Sequence, residues 1–140
     1  MIEVLPVTPN NEKRPARYQG DLGEYLAEYY FRRMGFDVGR IGSKHDLLVQ
    51  GPDSIFSVEV KSCTRPRKRN DGPDYYKFEL SRDAHPDYYA FVALDKQLVV
   101  VEPTEEVTLT GKGSRYYRTD RFTEELMLKS HNWVAREHNL

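Results

Sequence analysis

A single cysteine, Cys63, excludes an internal disulfide and fits a reducing cytoplasm. No apolar run approaches the roughly 18 residues that mark a membrane-spanning helix. The N-terminus has no secretory leader pattern. His45, His85, His131 and His138 lack the spacing of zinc ligands. A glycine-rich phosphate loop, a Ser-His-Asp order and an internal repeat are all missing. The net charge of −1 lacks the basic excess that often marks a nucleic-acid binder. What is there is 140 residues, 39% hydrophobic and 31% charged, which fits one soluble domain over 1–140 with a real core.

The richest stretch runs from Lys44 to Lys61. Asp46–Gln50 and Ile55–Lys61 are apolar-rich runs that favour strands, with Gly51-Pro52-Asp53-Ser54 as a turn between them. A four-residue turn sets Gln50 against Ile55 and therefore Asp46 against Glu59. Side chains alternate faces along a strand. Asp46, Glu59 and Lys61 then share a face with Leu48, Ile55 and Ser57. Leu47, Val49, Phe56, Val58 and Val60 take the other, wholly apolar face, which should be buried.

Two directly opposed carboxylates repel each other. A divalent cation relieves this, since Mg²⁺ is held by one or two carboxylates together with waters and substrate phosphates. Lys61 adds an ammonium beside the same spot. This combination suits metal-assisted phosphodiester hydrolysis, in which the metal polarises a phosphoryl oxygen and activates water and the lysine orients that water or stabilises developing charge. The alternative is a surface ion pair between Glu59 and Lys61, with Asp46 merely starting a strand. The register and the apolar opposite face favour the site.

The charge distribution says more than its sum. Lys61 to Arg69 carries five positive charges and no acid. Arg65, Arg67, Lys68 and Arg69 are candidate phosphate contacts, or else a solvated basic loop. Lys44, just before Asp46, is a further candidate beside the plainer reading as a loop residue. Cys63 has no evident base beside it and reads as structural.

Around this stretch, 1–16 reads as an irregular, proline-containing arm. Residues 18–35 read as a helix, with Leu22, Tyr25, Leu26, Tyr29 and Tyr30 on its apolar side and Gly35 as its stop. Glu24 lies in a polar stripe with Glu28 and Arg32, where it is solvated or closes a capping box from Asp21. A strand running into a turn is expected over 36–43, and another strand over 75–80. Residues 81–87 read as a loop or one helical turn. A hairpin of two central strands is expected over 88–94 and 97–102, and a further short strand over 107–110. The segment 111–118 reads as a polar, aromatic and basic loop, whose tyrosines are half-buried or stack on unpaired bases. Residues 120–137 read as a C-terminal helix packing through Phe122, Leu126, Leu128 and Trp133. This order predicts an α/β fold with a mixed central β-sheet flanked by helices.

Asp46 with Glu59-Val60-Lys61, downstream of a helix bearing Glu24, resembles the PD-(D/E)xK nuclease superfamily over roughly residues 18–101. Within it the chain is most similar to small single-domain members, the archaeal-type Holliday junction resolvases and the intron-encoded homing endonucleases of this fold. The literal Pro52-Asp53 lies in the turn, too far along the strand from Glu59 to share a metal, and His45 stands where the family usually has proline. The resemblance implies a restriction-endonuclease-like core and a DNA endonuclease using Mg²⁺, with Mn²⁺ as a substitute. Asp46 and Glu59 would hold the metal, Lys61 would position the water, and Glu24 would assist as a ligand or orienter. It further implies DNA as partner and a homodimer or higher homo-oligomer. The expected location is intracellular, with a virus or mobile-element origin open. The non-enzymatic alternative is a nucleic-acid-binding or assembly subunit that keeps the fold.

Overall fold

The computed structural model describes residues 16–40, 46–80, 85–110 and 113–140, with the side chains of 16–19, 46 and 108–110 outside the description. Residues 1–15 of the expected arm, residues 41–45 with Lys44 and His45, and residues 81–84 therefore lie outside the described residues, while Ala16 already belongs to a helix. The hairpin forms where the sequence places it. Strand β2 (Asp46–Gln50) and strand β3 (Ile55–Cys63) pair antiparallel, and Gly51 N–H donates to Ser54 O at 2.8 Å to close the turn. Gln50 faces Ile55 and Asp46 faces Glu59. Leu47, Val49, Phe56, Val58 and Val60 are all buried.

Helix α1 (Ala16–Met34) precedes this hairpin and ends at Gly35, whose φ of 107° lies in the left-handed region glycine tolerates. Its buried side includes Leu26, Ala27, Tyr30 and Phe31, whereas Tyr25 is 53% exposed rather than part of the apolar face. Strand β1 (Asp37–Arg40) pairs antiparallel with β2. Beyond β3 the chain forms strand β4 (Tyr75–Glu79), then β5 (Tyr88–Ala93) and β6 (Leu98–Pro103). The main sheet has the order β1-β2-β3-β5-β6. Its β3–β5 pair is parallel and its other pairs are antiparallel, so the sheet is mixed. β5 is central and buried throughout, but β6 is an edge strand and not the second central strand expected.

Two further expectations fail for the same reason: partners distant in sequence decide. Residues 104–110 form helix α2 (Thr104–Thr110) in place of a strand. Thr104 starts it by donating from its N–H to Asp87 O and from its hydroxyl to Pro86 O. Glu105 and Glu106 suit its N-terminal dipole, and Val107 is fully buried. The expected 111–118 loop contains strand β7 (Ser114–Arg118), which pairs antiparallel with β4 in a separate two-stranded sheet. Helix α3 (Glu124–Glu137) starts later than expected, after its N-cap Thr123, whose hydroxyl accepts from Leu126 N–H at 3.2 Å. Phe122, Met127, His131 and Val134 are buried, whereas Leu128 is 46% exposed and does not pack as expected.

Aromatic contacts fix the layers. On one face of the main sheet, Phe31 of α1 meets Phe56 at 6.1 Å, and Trp133 of α3 meets Tyr88 at 6.2 Å. On the other face, Phe78 of β4 meets Phe91 of β5 at 5.0 Å, and Tyr117 of β7 meets Phe91 at 5.7 Å. The mixed sheet thus lies between helices on one side and the small β4–β7 sheet on the other. No described helix is long and apolar enough to cross a membrane.

Candidate active site on the sheet face opposite the helices

Strand alternation carries Glu59 and Lys61 onto the face opposite the helices. Lys61 Nζ stands 3.3 Å from Glu59 Oε1, and Glu59 is buried while Lys61 is half-buried. Asp46 is the direct cross-strand partner of Glu59 on β2, placing a carboxylate-bearing residue at that position by backbone register. Tyr89 is the partner of Glu59 on β5, and Glu102 in turn is the partner of Tyr89 on β6. One row of residues, Asp46, Glu59, Tyr89 and Glu102, therefore crosses four strands. Tyr89 is buried and stacks on Phe91 at 5.6 Å. Glu102 is held by Arg115 of β7, with Nη2–Oε1 at 2.9 Å and Nε–Oε2 at 3.1 Å.

The rest of this face narrows the site. Leu48 and Ile55 are 38% and 59% exposed, so its end near the turn is open to solvent. Ser57 is clamped to Asp87: its N–H and hydroxyl donate to Asp87 Oδ2 at 2.8 and 3.3 Å, and Asp87 N–H donates back to Ser57 O at 3.1 Å. These bonds tie β3 to the start of β5. The small sheet covers the other end of the face, so Glu59 and Lys61 lie between a covered and an open region.

Glu24 sits in the helix layer. It is buried, and Arg40 Nη1 of β1 approaches its Oε1 at 3.8 Å. Arg40 Nε also meets Glu28 Oε1 at 3.5 Å, and Arg32 meets Glu28 at 3.4 Å. The polar stripe read along α1 is therefore an ion-pair network, and Glu24 is its buried member. Nothing in the spacing of the sequence marks Arg40 as its partner, because the pair joins two elements across the fold.

In the basic loop Arg65, Arg67, Lys68 and Arg69 are all exposed. The loop is tied down at one point, where Arg67 and Tyr75 exchange two backbone hydrogen bonds of 2.8 and 3.0 Å. Lys44 lies outside the described residues. Cys63 is half-buried and its thiol donates to Arg65 O at 3.1 Å. Burial pushes its pKa up, which keeps it a thiol and suits a structural role. Asp53, at the tip of the turn, accepts from Asn139 Nδ2 at 3.1 Å. Among the described residues no three His, Cys, Asp or Glu side chains cluster closely enough to hold a metal ion. The Asp46 side chain is not among them.

No protein-family model matches the chain, and no curated protein does. Among solved structures it is similar to a bacterial homing endonuclease, I-Ssp6803I, with a TM-score of 0.67. The match covers 91% of this chain and 96% of that one at 16% identity. At this identity the likeness is one of fold: a five-stranded mixed sheet flanked by helices, similar to that of a homing endonuclease.

Proposed function

We propose that the chain is a metal-dependent DNA endonuclease whose site is built on Asp46, Glu59 and Lys61. The observation that carries this reading is the direct pairing of Asp46 with Glu59, with Lys61 beside Glu59 on the same strand face. The fold it shares with a homing endonuclease supports the same reading. The donor set fits a hard divalent cation. Its donors are carboxylate oxygens, which Mg²⁺ accepts alongside water and substrate phosphate. Lys61 sits 3.3 Å from Glu59 Oε1 and brings one positive charge to the pair of carboxylate residues.

Asp46 and Glu59 would hold Mg²⁺, or Mn²⁺ in its place. The ion supplies Lewis-acid activation of the phosphodiester and of water. Lys61, steered by its ion pair with Glu59, orients the attacking water and stabilises the negative charge that develops on the phosphoryl oxygens. Glu24, the remaining candidate ligand or orienter, lies in the helix layer beside Arg40, so its part in the chemistry is the role that a Glu24→Gln variant tests. Arg65, Arg67, Lys68, Arg69 and Lys44 contact backbone phosphates. A homodimer or larger assembly supplies a second site for the second strand. The substrate is a linear target site, as for a homing endonuclease, or a branched junction, and a mobile element is the natural source of the former.

The test is a substrate panel of supercoiled, linear, single-stranded and four-way-junction DNA with Mg²⁺, Mn²⁺ or EDTA. Cutting that requires metal is expected, and the preferred substrate separates a site-specific enzyme from a resolvase. DNA binding without cutting of any substrate would replace the enzyme with a binding or assembly subunit of the same fold.

A further inference from the structure

The β4–β7 sheet buries only one of its faces. Tyr76, Phe78 and Tyr117 point into the core. Tyr75 and Lys77 on β4, with Tyr116 and Arg118 on β7, occupy the other face, since Tyr75 pairs with Arg118 and Lys77 with Tyr116. The two tyrosine rings lie 5.8 Å apart. Arg69 stands over the Tyr75 ring at 5.5 Å and Lys77 over the Tyr116 ring at 6.0 Å. Tyr116 is 51% exposed, so this aromatic surface is directed at solvent and not at the core.

Charge sets the ribbon apart from the rest of the chain. Residues 64–79 and 113–121, which form it and its basic approach, hold eight basic and four acidic residues, against a net charge of −1 for the whole sequence. Two of the acids pair with ribbon cations: Lys77 with Glu79 at 3.2 Å and Arg118 with Asp120 at 2.7 Å. Both partners, Glu79 and Asp120, are well exposed at 70% and 53%. Arg118–Asp120 is exposed on both sides and contributes little, while Lys77 is half-buried at 23% beside its open Glu79 partner. The strand that bears Lys61 runs straight into the basic loop, and that loop is bonded to β4 through Arg67 and Tyr75. The ribbon is thus continuous with the candidate active site.

We propose that the outward face of the β4–β7 ribbon, carrying Tyr75, Lys77, Tyr116 and Arg118, enters the major groove of duplex DNA and sets which sequence reaches Lys61. This rests on the reading of the chain as a DNA endonuclease. A two-stranded ribbon fits the major groove, about 12 Å wide. Lys77 and Arg118 are donors suited to guanine O6 and N7 or to flanking phosphates, and the tyrosine edges offer apolar contact to thymine methyls. One cation stands over each tyrosine ring, so each ring keeps at most one face for stacking, and the fit of a paired ribbon to the groove favours duplex over single strands.

The test compares wild type, the triple variant Lys77→Ala/Tyr116→Ala/Arg118→Ala, and Lys61→Ala. Each is titrated against a duplex pool with a randomised core and against the matched single-stranded pool, the bound fraction is sequenced, and cutting of bound duplex by wild type is followed with Mg²⁺. Thermal melting checks that the triple variant folds, since its side chains lie on the surface. The ribbon variant is expected to lose about tenfold or more in duplex affinity, its sequence enrichment, and about two units of salt slope. Lys61→Ala is expected to keep affinity and enrichment but not cutting. Unchanged duplex affinity and enrichment in the ribbon variant would overturn the inference, and cutting by wild type would leave the endonuclease reading standing. A loss confined to the single-stranded pool would overturn it as well. A wild type that neither binds nor cuts duplex would sink the inference together with the reading beneath it.

Discussion

Gly23 lets α1 lie close against β3. A Cβ at this position would collide with Ser62 Oγ and come to 3.6 Å from Val60 Cγ1. Ser62 Oγ is itself buried without a hydrogen-bond partner. Gly23→Ala should therefore cost about 1–3 kcal/mol through overpacking, despite the gain in helix propensity. Ser62→Ala in the same chain should recover part of that loss, because it removes the colliding atom and an unsatisfied hydroxyl. Urea denaturation of the two single variants and the double variant measures the coupling. His131 makes a second prediction at this scale. It is buried, its Nε2 donates to Val99 O at 2.8 Å, and burial pulls its pKa down from 6.5 to about 4. The folded imidazole stays neutral while the unfolded one takes up a proton near its ordinary value, so the unfolded chain binds more protons between those limits. Stability from this group is full above about pH 6.5 and is lost as pH falls to about 4, by on the order of 3 kcal/mol. His131→Gln should flatten that part of the stability–pH curve; an unchanged slope would assign the acid sensitivity to other groups.

At the scale of elements, α3 seals the open edge of β6. Val99 N–H donates to Met127 Sδ at 3.4 Å, Val101 N–H donates to Ser130 Oγ at 3.1 Å, and His131 supplies the donor for Val99 O. Side chains thus satisfy edge groups that would otherwise invite another strand. Ser130→Ala leaves Val101 N–H without its partner and should cost about 1–3 kcal/mol by urea denaturation. The end of α3 is fastened as well. His138 bridges Ser54 Oγ at 2.6 Å and Tyr88 OH at 2.8 Å, and stacks on Phe56 at 4.2 Å. None of this was legible in the sequence. The hairpin register was, because a four-residue turn is local and fixes every pair that follows it, Asp46 with Glu59 included. α2 and β7 were misread because Thr104 is anchored by Pro86 and Asp87, and β7 finds its partner in β4, across intervening strands. β6 looked central because its valines are apolar on both faces, but one edge of the strand is covered by a helix instead of another strand.

At the scale of the whole molecule, the layers divide the work. Helices cover one face of the mixed sheet, the small sheet covers part of the other, and Glu59 with Lys61 lies beside the part left open. The juxtaposition of Asp46, Glu59 and Lys61 was readable because all three lie on one hairpin. Its surroundings were not, since Tyr89, Glu102 with Arg115, and Arg40 beside Glu24 are brought near by pairing between distant segments. Glu24→Gln separates two roles for that buried acid. If it belongs to the proposed hydrolytic site, the variant should lower the cleavage rate by about tenfold or more with stability nearly unchanged; if it is a structural partner of Arg40, the variant should lower stability and leave the rate alone. The most direct test of the account is the single-turnover cleavage of supercoiled DNA at saturating Mg²⁺ by wild type and Lys61→Ala. Cutting by wild type that drops by about a hundredfold or more in the variant, with metal and DNA binding retained, is the expected result. A variant that cuts as fast as wild type would contradict it, because Glu59 and Lys61 would then be a largely buried structural ion pair on a strand that does no chemistry.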